Sequence, residues 1–319
     1  MRKSAAPLLL LLPLAALVAL PHVLPRFHTY VAAIVLLTAL LATSLNLAIG
    51  YTGLYQFGHA VFYGVGAYGT ALMLTRSGMP APVAFLAGPL AAAALSLVMG
   101  LICIRLSKLY FGMLQISLGS LVWAVVYRWY SFTGGDDGIH GIPLPDAIAS
   151  PKGSYYFTLA VTALCVFAMY RIVRSPFGKV IQGIRDNPVR ASAIGVDVRL
   201  HQLASLVIAG FFGGVAGSLF VVVESSVFPD MMFWTFSLEV LIMCLLGGMY
   251  TFFGPLVGAS VIVLLRVFAS VHTQYWGLIL GTILTLVIIF LPDGVLGVFV
   301  RRSLPKEEDR KSTRLNSSH

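Results

Sequence analysis

The chain has 319 residues, 58% of them apolar and only 10% charged, with a net charge of +9, and its mean hydropathy is +0.91. This apolar excess excludes a soluble globular domain and points to an all-α protein, a polytopic helical bundle integral to a membrane. The positive balance is not a nucleic-acid signature, because Lys and Arg gather at the ends of apolar runs and in one loop.

Met1, Arg2 and Lys3 followed by Leu8 to Leu20 have the charged start and apolar centre of a secretory signal. No small-x-small cleavage site follows, and Pro21 to Arg26 continues into the next apolar segment, so the stretch is read as a retained first span. A second span is expected from Tyr30 to Ile49, and a third from His59 to Leu74 after a glycine-rich patch, Gly50 to Gly58. Pro80 and Pro82 mark a turn before spans over Val83 to Ile104 and Leu109 to Tyr130. Ser131 to Gly153, with Asp136, Asp137 and Asp146 among glycines and prolines, is a loop of acidic bias. Spans over Tyr155 to Val173 and His201 to Val223 flank a basic stretch. The last third reads as two short or broken segments, because Ser237 to Gly248 is short for a crossing and Gly247, Gly248, Gly254, Pro255 and Gly258 interrupt the pattern. A segment over Tyr275 to Leu291 closes the set.

The sum is about ten membrane segments in a single domain over residues 1–300. Residues 301–319 form a polar tail whose end, Lys311 to His319, resembles translated adapter or vector sequence and is set aside from function. An even number of crossings with the N-terminus inside puts Arg105, Lys108, the basic stretch and Arg301 and Arg302 on the inner side and the acidic loop outside. Arg26, Arg76 and Arg266 depart from that asymmetry.

The basic stretch, residues 174–200, carries Arg174, Lys179, Arg185, Arg190 and Arg199 against Asp186 and Asp197. Two helix starts are written in it, Ser175 before Pro176 and Asn187 before Pro188, each a capping side chain ahead of a proline whose missing N–H costs nothing. Phe177, Val180, Ile181 and Ile184 then fall on one face, Ala191 and Ile194 make a smaller stripe, and Gly195 is placed as a left-handed stop. Two short helices at the membrane surface follow from this. Such a pair is either a handle for a soluble partner or an ordinary basic loop obeying the positive-inside rule.

Energy-coupling chemistry is missing from the motifs. Gly178 and Lys179 adjoin, but Val180 replaces the hydroxyl residue of a phosphate-binding loop and its first glycine is lacking. There is no HExxH, no GxSxG and no CxxC; Cys103, Cys165 and Cys244 are scattered in apolar stretches as packing residues, and no metal site is indicated. Glu224, Glu239, Arg128 and Arg266 fall near expected span ends and read as interfacial charges with their heads in water, leaving the mid-membrane nearly uncharged. Neutral polar and small residues do cluster, in Asn46, Gly50, Tyr51, Gly53, Gln56, Gly58 and His59. Such a cluster makes either a path through broken helices or close helix packing, and His59 reads as a satisfied histidine at a helix start.

Gly50-Tyr51-Thr52-Gly53 through Gly58-His59-Ala60, then Phe62, Gly64 and Gly66-Ala67-Tyr68, resembles the signature of branched-chain amino-acid ABC-transporter permeases of the LivM type. Ser175-Pro176-Phe177-Gly178, Ile184-Arg185-Asp186-Asn187 and Ala193-Ile194-Gly195 are similar to that family's coupling loop. Ala216-Gly217-Ser218-Leu219, Glu239, Gly247-Gly248, Gly254-Pro255 and Gly258-Ala259 continue the likeness in order, from about Tyr30 to Gly297. One departure is Leu54-Tyr55-Gln56-Phe57, where the family usually has Gln-Leu-Ser-Leu; Gln56 stands in place of a serine.

The resemblance implies a multi-pass permease of a bacterial inner membrane with both termini cytoplasmic, paired with a homologous second permease. It further implies two cytoplasmic ATPase subunits that carry ATP and Mg, an extracytoplasmic solute-binding protein, and no cofactor on this chain. The surroundings are membrane lipid, with no nucleic acid. Ser175 to Lys179, Ile184 to Asn187, Ala193 and Gly195 would couple to the ATPases, and the glycine-rich patch would line the substrate path. Closely similar permeases carry urea, short amides or other carboxylates, and a stand-alone secondary transporter is the rival outside the family.

Overall fold

The computed structural model describes residues 17–22, 25–106 and 108–272, with isolated positions between 277 and 294. Helix α1 (Arg26–Asn46) is prolonged by a π turn (Leu47–Tyr51), and an irregular segment leads from there to α2 (Ala60–Thr75). Helices α3 (Ala81–Cys103), α4 (Lys108–Arg128) and α5 (Pro151–Arg174) follow. Two short surface helices, α6 (Pro176–Asp186) and α7 (Pro188–Ala193), lead to α8 (Val198–Glu224), and then to α9 (Trp234–Gly247) and α10 (Gly254–His272).

Among the described residues, five helices are long and apolar enough to cross a membrane, namely α1 with its π turn, α3, α4, α5 and α8. Helices α2, α9 and α10 are the shorter apolar ones, as the interrupted pattern predicted for the last third. The expected segments at Leu8 to Leu20 and Tyr275 to Leu291 fall largely outside the described residues.

The helix starts follow local chemistry. Ser150 accepts from the Gly153 N–H at 3.0 Å ahead of α5, Ser175 from Gly178 at 3.3 Å ahead of α6, and Asn187 from Arg190 at 2.9 Å ahead of α7. Asp197 accepts from Leu200 at 3.0 Å ahead of α8, a start that hydropathy alone placed at His201. Each such cap contributes about 1 kcal/mol. The left-handed stop is present too, at Gly195 with φ +90°.

Helix α8 runs through the centre against α1, α2 and α3. Small residues let it do so: a Cβ on Gly66 of α2 would lie 2.3 Å from the Gly214 carbonyl of α8, and one on Gly88 of α3 would lie 2.3 Å from the Gly66 carbonyl. Three backbones therefore meet where lipid offers no hydrophobic drive for association. Outer faces of α3, α4 and α5 expose Leu90, Leu97, Leu121, Leu164 and Phe167, as lipid-facing helices do.

The acidic loop holds more structure than the sequence shows. It contains helical turns at Tyr130–Thr133 and Asp146–Ala149, and strand β1 (Ile139–His140) pairs antiparallel with β2 (Ser226–Val227) after α8. That ladder ties the loop to the end of the bundle opposite α6 and α7.

Candidate functional site

At the basic end, α6 is seated by its apolar face. Ile181 and Ile184 are fully buried, and Ile181 packs with Leu47, Tyr51 and Val173. Phe177 stacks on His201 at 5.9 Å between ring centroids. The next helix differs from the sequence expectation: Ala191 is buried, but Ile194 is 78% exposed, as is Val189. Helix α7 stops at Ala193, itself exposed, and the Gly195 turn directs Ile194 outward, so the expected stripe is split.

Arg185 joins this surface to the bundle. Its Nη1 donates to the Gly50 carbonyl at 2.6 Å, and its guanidinium lies 5.3 Å from the Tyr250 ring centroid in the turn between α9 and α10. Nε and Nη2 both donate to Asp186 Oδ1, at 3.0 and 2.9 Å. Gly53, at φ +75°, faces the Arg185 side chain, and the two border a cavity of about 280 Å³ with Tyr55 and Tyr250. Lys179 is exposed, and Ser175, Pro176 and Asn187 serve as the helix starts described above.

The glycine-rich patch is a break between two helices. His59 Nε2 meets Ser44 Oγ at 2.8 Å, the Ala60 N–H donates to Ser237 Oγ at 2.9 Å, and Asn46 Nδ2 donates to the Thr251 carbonyl at 3.3 Å. Thr52 and Ser205 share a hydroxyl contact of 2.5 Å. The side chain of α9 thus satisfies the first N–H of α2 inside the bundle, as backbone freed at a break requires. Asn46, Gln56, Gly58 and His59 are enclosed by protein, and Gly50 and Tyr51 lie within the π turn. His59 stands at the helix start as expected, but it is only half satisfied: Nε2 meets Ser44, while the buried Nδ1 has no hydrogen-bond partner among the described residues. Of this group, Gly53 borders the cavity beside Arg185.

A second cavity, of about 280 Å³, lies toward the opposite end between α1, α2, α8, α9 and α10. Tyr30, Glu224, Glu239 and Arg266 line it with apolar residues such as Ile34 and Phe236. Glu239 pairs with Arg266 at 3.2 Å, and the Tyr30 hydroxyl donates to Glu224. A larger chamber of about 600 Å³ shares Tyr63, Phe220, Phe236, Glu239 and Arg266 with it.

This corrects the reading of Glu239 as an interfacial charge with its head in water, whereas Arg266 beside it is half-exposed. Glu239 is 8% exposed. It sits about 12 Å along α9 from Gly247, and Arg266 about 18 Å along α10 from Gly254. Hydropathy hid this because α9 does not begin at the surface; its Ser237 reaches the buried start of α2. Glu224, at the end of α8, does keep its interfacial place, partly buried beside Tyr30.

A lipid-facing bundle with helices broken inside it, a charged cavity toward one end and a basic helical surface at the other has the architecture of a membrane transport permease. The chain belongs to the branched-chain amino acid transport system / permease component family, whose model matches residues 28–289. It is 27% identical over 306 residues to the high-affinity branched-chain amino acid transport system permease protein LivM of Escherichia coli (strain K12), covering 88% of this chain and 72% of that protein. The LivM protein of Salmonella typhimurium is 26% identical over 316 residues, 91% of this chain and 74% of its own length. A probable LivM permease of Methanocaldococcus jannaschii is 22% identical over 313 residues, 81% and 89% of the two chains. No solved structure matches the chain significantly. The protein is a permease subunit of an ABC importer.

Proposed function

We infer that the chain moves branched-chain or related hydrophobic amino acids inward across a bacterial inner membrane, together with a homologous second permease. Two ATPase subunits dock on α6 and α7 from the cytoplasm and hold the ATP and Mg, and a solute-binding protein delivers cargo at the end that carries β1 and β2. The observation that carries this reading is Arg185, which links the exposed basic helices to both the π turn at Gly50 and the α9–α10 turn at Tyr250. Displacement of α6 by closing ATPases is thereby delivered to two elements of the core, a bistable element biased by a partner. Exposed Val189 and Ile194 give the docking face an apolar centre among Arg190, Arg199 and Lys179. The cargo reading draws on the names of the LivM relatives.

Reconstitution of the complete transporter in liposomes tests it. Labelled leucine, isoleucine and valine accumulate when ATP and the binding protein are supplied, and accumulation stops when the ATPase subunits are omitted. Uptake that persists without them and follows an ion gradient would make the chain a secondary carrier. Accumulation of urea or short amides in place of leucine would assign the alternative cargo.

A further inference from the structure

We propose that the groove between α3, α5 and α8 holds one acyl chain of an anionic phospholipid, whose phosphate is met by Arg171 and Arg174 at the end of α5 next to α6. Such a site serves neither the cargo nor the energy source and stands whichever solute the chain carries.

The groove has a volume of about 470 Å³, and its wall includes Phe85 and Pro89 of α3, Val161 and Leu164 of α5, and Phe211 and Val215 of α8. Ser218 also lines it, but the hydroxyl is already bonded to Thr70 at 2.7 Å and to the Gly214 carbonyl at 3.1 Å. The wall thereby suits hydrocarbon. Phe85 and Phe157 meet at the far end, 5.4 Å between ring centroids, and draw α3 to α5 there. A helix is about 10 Å across and too wide for that space, whereas a single acyl chain fits it.

The other end carries charge. The exposed stripe of α5 runs through Ala160, Leu164, Phe167, Arg171 and Arg174, spaced as one face of a helix. Arg171 lies about 5 Å along the axis beyond Ala168, where the lining that α5 gives the groove stops. From Arg171 back to Phe157 is about 21 Å, the reach of a long acyl chain. Among the described residues, neither of these two guanidinium groups makes an ion pair or a hydrogen bond. That of Arg174 lies over the Tyr170 ring, 4.4 Å from its centroid, and the ring in turn meets Phe252 of the α9–α10 turn at 5.2 Å. A cation over a ring spends none of its N–H donors on an oxygen, so they remain for phosphate. Two arginines at the end of an apolar groove, with aromatic rings beside them, match a phosphodiester, its glycerol esters and an acyl chain in that order. A zwitterionic lipid brings a cation of its own to the arginines, and an acidic protein surface leaves the groove unfilled.

The test takes the full chain with the subunits that co-purify with it into mixed micelles holding equal amounts of palmitoyl-oleoyl phosphatidylglycerol and phosphatidylcholine, and counts bound lipids by native mass spectrometry. Phosphatidylglycerol is retained about tenfold over phosphatidylcholine. Arg171→Gln/Arg174→Gln removes that preference, and Arg171→Lys/Arg174→Lys keeps most of it. Leu164→Trp, at an exposed position on the groove's rim, lowers retention of both lipids. Arg128→Gln, at an exposed arginine closing α4 toward the other end of the bundle, leaves the preference as it was. Equal retention of the two lipids by the unaltered protein, as expected of arginines that only orient the chain, overturns the site. So does an unchanged preference in the glutamine double variant, full retention in Leu164→Trp, or an equal fall in Arg128→Gln. A double variant that sheds its ATPase subunits and keeps its phosphatidylglycerol assigns the two arginines to docking and overturns the lipid site as well.

Discussion

Replacing Arg185 by Ala breaks the polar link from α6 to the Gly50 carbonyl and Tyr250 and leaves the apolar seat of α6 in place. The bond from Nη1 to the Gly50 carbonyl joins a charged donor to a neutral acceptor at 2.6 Å, a class worth about 1.5–3 kcal/mol. The guanidinium over Tyr250 adds about 0.5–1 kcal/mol at this partly exposed position. The pair with Asp186, whose side chain is 66% exposed, lies within α6 and its end and contributes little to the link. The polar terms that join α6 to Gly50 and Tyr250 therefore total about 2–4 kcal/mol, or about 30- to 1,000-fold in the ratio of linked to unlinked states of that contact. Helix α6 keeps its Ser175 cap and its buried Ile181 and Ile184, so insertion and assembly persist. In proteoliposomes, ATP hydrolysis and leucine accumulation are measured together. The number of ATP molecules hydrolysed per leucine rises at least about tenfold in Arg185→Ala. Arg185→Lys, which keeps a donor but loses the planar fork, falls between the two. An unchanged ratio in Arg185→Ala refutes the linkage.

Ile194→Asp, at an exposed position, leaves the melting temperature of the permease unchanged but abolishes co-purification of the ATPase subunits; retained co-purification places the docking face elsewhere. Ser237→Ala leaves the buried Ala60 N–H without its acceptor and lowers stability by about 1–3 kcal/mol, read as a fall in the melting temperature of detergent-solubilised protein. Gly66→Val forces a side chain into the point where α2, α3 and α8 touch, and folded protein is lost from the membrane, as size-exclusion chromatography of solubilised membranes shows.

What could be read from the sequence was local. Ser175-Pro176 and Asn187-Pro188 specify their helices through side chains three residues from their partners, and both caps form as written. Most long spans are equally legible, because twenty or so apolar residues carry the whole signal. The site was less so, because its pairings are remote in sequence. Nothing near Ser44 or Ser237 announces that one meets His59 and the other the Ala60 N–H. The burial of Glu239 is hidden for a related reason: a segment's own hydropathy does not show where α9 begins against α2. The β1–β2 pair is two residues per strand, too short for any periodicity to register.

Where those two charges sit bears on how the cavity can change shape. Glu239 is on α9 and Arg266 on α10, so the ion pair is internal to one helical hairpin. The hairpin is closely joined, since a Cβ on Gly258 would lie 1.8 Å from the Met243 carbonyl. Tyr30 and Glu224, by contrast, belong to α1 and α8 and satisfy each other. A shift of the hairpin against α1 and α8 alters the cavity while each polar pair stays intact. Separating Glu239 from Arg266 would leave a buried carboxylate without that partner, and this motion avoids the cost. Two hydrogen bonds cross from α1 to the hairpin, Asn46 to the Thr251 carbonyl at 3.3 Å and the Cys244 thiol to the Ala42 carbonyl at 3.1 Å, and the rest of that seam is apolar packing of Leu41 and Leu45 with Val240, Met243 and Ile262. The turn of the same hairpin carries Tyr250, beneath Arg185. One element thus receives the displacement at the basic end and bears charged residues of the cavity wall at the other, so movement of the surface helices reaches that cavity without a second relay.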